Sequence, residues 1–282
     1  MRREDAPPWA DEPVAFLAEL GRGPDSGFDP AAAALAFAAR ERPMAPLGRY
    51  LAHFDELAVK VAAVAGDEPT AEARATALAT VIHGEFGYTG DTQTYDDLQN
   101  ADLIRVIDRR KGLPVALGIL HMGVAHRLQW SLVGLGFPGH FLLMLEYRAQ
   151  RLPLDPFDGA QVLSAADMRR ILKGVQGDQA ELTAECYQPV PDRAVLLRLQ
   201  NNIKLRRLRL GDIPGALGVA EAMLAFAPTT LELTREIAMM HMRLENISDA
   251  IRHFEIYLDG EPNETLRHKA AALLQELKNR LN

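Results

Sequence analysis

Gly112-Leu113-Pro114-Val115-Ala116-Leu117-Gly118, then Gly136-Phe137-Pro138-Gly139-His140, then Asp155-Pro156 is the series of segments whose reading decides the fold. The first opens residues 112–128, a run with apolar side chains on nearly every face, the pattern of a helix buried in a core. Proline suits such a start, because the N–H it lacks has no intrahelical partner in a first turn. The second segment lies between two strand-like stretches, 130–137 and 140–147, with Pro138-Gly139 as the turn joining them. The third closes a short strand, 151–155. Together they predict a buried helix packed on a short antiparallel sheet.

Upstream the chain reads helical. Asp29-Pro30 starts an alanine-rich helix that ends near Arg42, with Pro43 as a stop. Leu51, Phe54, Leu57, Val61 and Val64 form an amphipathic stripe within 47–65. Glu68-Pro69-Thr70 opens a further helix to about Glu85. Residues 86–91 break into loop, 95–100 form a polar loop, and 101–110 form a short helix. Downstream, Ser164 and Asp167 have the spacing of a capping box, with Gly174 as the expected helix end. Residues 174–188 read as a linker, which would hold Cys186.

The last third is a repeat. Ala216 and Ala250 are 34 residues apart, as are Pro228 and Pro262. Ala220 aligns with Phe254, and Gly211-Asp212 with Glu245-Asn246. A period of this length, with alanine at the helix contact and proline at the exit, is the tetratricopeptide pattern. Each unit cannot bury its apolar face alone, so residues 264–281 are expected to cap the stack. The domain reading is a weakly structured 1–28, a core domain over 29–188, and repeats with a capping helix over 189–282.

Composition bounds the function. A net charge of −7 and a pI near 5.7 give no support to a nucleic-acid binder. The single cysteine fits a reducing compartment. The start, Met1-Arg2-Arg3-Glu4-Asp5, carries charges where a signal peptide needs an apolar core. The longest apolar stretch, 113–125, is too short to span a bilayer. These features predict a cytoplasmic protein with no membrane partner.

The run Tyr95-Asp96, Asn100, Leu103, Val106, Arg109-Arg110, Gly112, Pro114, continued by Gly134, Gly136-Phe137-Pro138-Gly139-His140-Phe141 and Asp155-Pro156-Phe157, resembles the SirB-type family of bacterial proteins. That family pairs a transglutaminase-like, papain-like core with C-terminal tetratricopeptide repeats. The resemblance implies an α+β, mostly helical fold. The wider superfamily includes cysteine acyltransferases and peptidases with a Cys-His-Asp triad. Carried over by position, the histidine falls on His140, the aspartate on Asp155 and the cysteine on Pro114.

Acyl transfer by such a triad needs a thiol activated by a helix N-terminus and an imidazole. Proline cannot serve, and residues 95–130 contain no Cys, Ser or Thr. The expectation is therefore a non-catalytic interaction module. The alternative is an unconventional hydrolase or acyl-transfer enzyme that acts on an amide or ester through His140 and Asp155. If the hairpin turns near Tyr147-Arg148 these two residues lie opposite each other, and if it turns nearer Gln150 they are offset. Asn100, Arg109, Arg110 and Gly139 are candidate ligand-binding residues; Arg105 and Arg109, four apart on one helix face, suit phosphate or carboxylate, and Asp96 and Asp97 are candidate partners for these arginines. His121 and His126, five apart, lack the spacing of a zinc helix, so no metal or other cofactor is expected. Lys204, Arg206, Arg207 and Arg209 cannot all share one helix face. An acidic peptide or protein in the repeat groove is the expected partner.

Overall fold

The computed structural model describes residues 6–261 and 263–281. Met1–Asp5 and Pro262, the expected exit of the second repeat, lie outside the described residues. The chain divides into two compact units. One comprises Pro24–Leu199 with the described residues before Val14; the other comprises Val14–Gly23 with those from Gln200 onward.

Residues expected to be weakly structured instead form helix α1 (Pro13–Arg22), which from Val14 onward belongs to the second unit. In the first unit, α2 (Pro30–Ala39) begins as expected: the Asp29 carboxylate accepts from the Ala31 and Ala32 N–H groups, with Pro30 in the first turn. In α3 (Leu47–Ala65), Phe54, Leu57 and Val61 are buried as the stripe predicts, whereas Val64 is exposed near the helix end. The next helix is not uniform. It is α-helical in α4 (Ala71–Leu78), then widens to a π-helix over Ala79–Glu85. Such widening recurs at functional sites.

The segment that frames the site follows. Strand β1 (Thr89–Gly90), a 3-10 turn at Leu98–Asn100, α5 (Leu103–Arg109) and β2 (Lys111–Gly112) lead into α6 (Pro114–Arg127). β1 and β2 pair in parallel. Every residue of α6 from Pro114 to Ala125 is buried, against α2, α3 and β3 (Ser131–Leu135). A Cβ at Gly123 would lie 2.6 Å from Ala31 Cβ and 2.9 Å from Phe54, so glycine sets how closely the helices approach.

The sheet is antiparallel, in the order β6-β5-β4-β3-β7. It contains β4 (Leu143–Tyr147), β5 (Gln150–Asp155), β6 (Gln161–Val162) and β7 (Pro189–Val190). Helix α7 (Ala165–Gln176) carries the expected Ser164–Asp167 capping box but passes through Gly174 to end at Gly177. Residues 174–188 are no open linker. Their 3-10 turn, Ala184–Tyr187, buries Cys186 among Leu135, Phe137, Leu142, Met144, Met168 and Leu172. That apolar environment makes Cys186 a packing residue.

α8 (Asp192–Arg209) contributes its first residues to one unit and its last to the other. The second unit continues with α9 (Ile213–Phe226), α10 (Leu231–Arg243), α11 (Ile247–Asp259) and α12 (Glu264–Leu281). The repeat-equivalent residues Ala216 and Ala250, and Ala220 and Phe254, are all fully buried. α12 packs on α11. Much of the basic run is internally tied. Lys204 pairs with Glu236, Arg206 donates to Asn202 Oδ1 at 2.8 Å, and Arg207 meets Asp212 at 2.5 Å. Among the described residues no helix is long and apolar enough to cross a membrane.

Candidate functional site

Pro114 is the first residue of α6, after extended Leu113. The resemblance would place the triad's cysteine at this buried helix start, whose proline ring carries no nucleophilic atom. The backbone around it is braced. Leu113 N donates to Asn100 O at 2.8 Å, and Asp91 N donates to Gly112 O at 3.2 Å.

Asn100 is fully buried and spends its side chain on this brace. Its Nδ2 donates to Thr94 O at 2.6 Å, and its Oδ1 accepts from Arg109 Nη1 at 2.9 Å. Arg109 Nη2 reaches Asp91 Oδ2 at 3.2 Å. Asp91 also accepts from the Gln93 and Thr94 N–H groups and the Thr94 hydroxyl. These bonds, led by the Thr94 hydroxyl, hold the Asp91 carboxyl well below the usual range. The acid that pairs with Arg109 is thus Asp91; Asp97 instead caps the 3-10 turn by accepting from Gln99 N. Arg110 adopts a left-handed backbone at the end of α5 and donates to the Tyr88 hydroxyl and, at 2.7 Å, to His53 Nε2. Asn100 and Arg109 thus bond to groups within the fold. Gly139 has φ +65, and a Cβ there would fall 2.2 Å from Val175 Cγ1. It serves the turn.

His140 and Asp155 do come together. Nε2 of His140 lies 2.9 Å from Oδ2 of Asp155, and Asp155 Oδ1 accepts from Phe157 N at 2.9 Å. The carboxylate is held at both oxygens, and the imidazole keeps partial exposure, 24% of its side chain. Such a carboxylate orients the ring and leaves Nδ1 as the nitrogen for proton transfer. The turn falls at Arg148-Ala149, between the two registers the sequence allowed, since Tyr147 pairs with Gln150. His140 itself lies in the loop before β4.

Sequence reasoning missed Asp91 and His83. His83 Nε2 lies 3.2 Å from His121 Nε2, with the rings stacked at 5.0 Å. These residues are 38 apart in sequence, on different helices, and no local spacing announces the contact.

Residues 48–201 match the family model described as the transglutaminase-like superfamily, and residues 203–275 match one for the tetratricopeptide repeat. A UPF0162 protein of Vibrio cholerae is 31% identical over 212 residues, covering 75% of this chain and 77% of that protein. A UPF0162 protein of Pseudomonas aeruginosa is 32% identical over 259 residues, covering 91% and 93%. Protein SirB1 of Salmonella typhimurium is 25% identical over 201 residues, covering 71% and 74%. With its core helix, sheet and repeats in this order, the chain belongs to the transglutaminase-like superfamily and to the UPF0162 proteins.

Proposed function

We propose that this protein is a cytoplasmic, non-catalytic adaptor, in which a transglutaminase-like core without a nucleophile accompanies repeats that bind a protein partner. The observation that carries this reading is Pro114, buried at the first turn of α6 where the triad requires a thiol. Tetratricopeptide arrays mediate protein–protein interaction, which supports the second half of the reading. Leu205 on α8 is an exposed apolar side chain of this region and serves as the probe position for such a contact.

The experiment is affinity capture from lysate, comparing the intact chain with Leu205→Asp and His140→Ala. A partner retained by His140→Ala and lost by Leu205→Asp supports the adaptor.

A second reading has its own observation, the His140–Asp155 pair at 2.9 Å with a partly exposed imidazole. In that reading the pair activates water against an amide or ester. Hydrolysis of a panel of such substrates, abolished by His140→Ala, would replace the adaptor reading.

A further inference from the structure

His83 stands on the π-helix and His121 on α6, and a proton count decides their chemistry. Nδ1 of His121 is 2.8 Å from Leu117 O, and Nδ1 of His83 is 2.7 Å from Tyr88 O. Carbonyl oxygens only accept, so both Nδ1 atoms carry hydrogen. Two neutral imidazoles then have no proton left for the contact between their Nε2 atoms. Two lone pairs face each other at 3.2 Å, on a His121 ring that is fully buried. Moving one ring's hydrogen from Nδ1 to Nε2 only shifts the conflict to a carbonyl. Three hydrogen bonds in a chain ended by two acceptors require three protons, one more than two neutral rings supply.

The extra positive centre is best filled by a proton. A separation of 3.2 Å is that of an N–H···N hydrogen bond. It leaves no room for a water between the nitrogens, which would need about 2.8 Å to each. A transition metal needs more than two ligands, and no group of three or more suitable side chains exists among the described residues.

We propose that the His83–His121 pair is a one-proton site: on acidification His83 takes and keeps a proton on Nε2, and that N–H donates a hydrogen bond to Nε2 of His121, which stays neutral. Burial opposes charge on both rings, and His83 is the recipient because carboxylates act on it and none acts on His121. The Asp155 carboxylate at the end of β5 and Asp158 in the following turn act on it, as does its bond to Tyr88 O. Facing His121 are His83 and the Leu117 carbonyl. Burial lowers both rings, His121 to about 3, which places uptake on the acid side of the ordinary histidine range. The charge appears in the field of the carboxylate that holds His140. The contact between the π-helix and α6 thereby becomes acid-responsive and electrostatically linked to the His140–Asp155 pair.

The test is NMR of the full chain with nitrogen-15-labelled histidine, followed from about pH 8 towards acid until unfolding. The expected spectra show His83 becoming an imidazolium while His121 keeps the neutral Nδ1–H signature. His121→Phe, which removes the acceptor, is expected to lower the His83 midpoint by about one unit, a roughly tenfold loss of proton affinity. Both rings neutral up to unfolding, both rings becoming imidazolium, or an unchanged midpoint in the variant would overturn the proposal. So would one equivalent of Zn²⁺ held by the intact chain and released by His83→Gln. The spectra of the unsubstituted chain decide alone if His121→Phe does not fold.

Discussion

His140 Nε2 bonds Asp155 Oδ2 at 2.9 Å although the strands do not place the two residues opposite each other. Leu143 faces Leu154, so the position across from Asp155 is Leu142, two residues beyond His140. The loop before β4 brings the imidazole back to the carboxylate. The pair therefore reports the loop's conformation as well as the strand register.

Removing His140 leaves a largely buried carboxylate with only its Phe157 N–H bond. His140→Ala is expected to lower the unfolding free energy by about 1.5–3 kcal/mol, the scale for losing a hydrogen bond to a charged group. Urea denaturation checks it. A loss near zero would mean that solvent already satisfies Asp155.

Pro114→Cys is expected to fold, because a first-turn residue contributes no intrahelical N–H bond. The helix N-terminus should lower the introduced thiol's pKa. Iodoacetamide labelling should then exceed that of buried Cys186 in the unsubstituted chain. Equal labelling would show that this helix start is sealed.

Asp91 makes the brace acid-sensitive. Its folded pKa is depressed, so its contribution is present above the unfolded aspartate value of about 3.9 and is lost as pH falls through the folded value. Asp91→Ala should cost about 3 kcal/mol or more at neutral pH, since Arg109 and Thr94 lose their partner. The gap between variant and parent should narrow on acidification below about pH 4. Unfolding curves measured across that range test the sign; a gap that widens would reject the assignment.

Gly139→Ala combines a left-handed backbone with a collision at Val175. A cost of about 1–3 kcal/mol is expected. Val175→Ala in the same chain should relieve the steric part and leave the backbone part. A thermal-melt cycle of the four proteins separates them, and additive effects would show that the two side chains do not meet.

The repeat contact is a packing claim. Ala250 is fully buried where α11 meets its neighbours, so Ala250→Leu should overpack it and cost about 1–3 kcal/mol. Val59, 70% exposed on α3, supplies the control: Val59→Ala should change stability by less than about 0.5 kcal/mol.

Much of the fold was legible because it rests on local patterns. The Asp29-Pro30 start, the Ser164–Asp167 box and the all-apolar α6 each depend on neighbours within a few residues, where chain geometry links sequence directly to structure. The 34-residue period likewise placed the buried alanines Ala216 and Ala250. The π-helix was hidden because its seven residues are too few to show a period distinct from that of the α-helix before it.

By itself the sequence determined the order of elements and the repeat, since these depend on residue type and spacing. Only the tertiary structure decided which polar groups meet. It gave Arg109 to Asp91, sealed Cys186 in the sheet's core, set the His140–Asp155 contact from a loop, and aimed His83 at His121. The physical reason is that a buried polar atom must find its partner wherever the fold brings one, and proximity in space between distant segments leaves no periodicity in the chain.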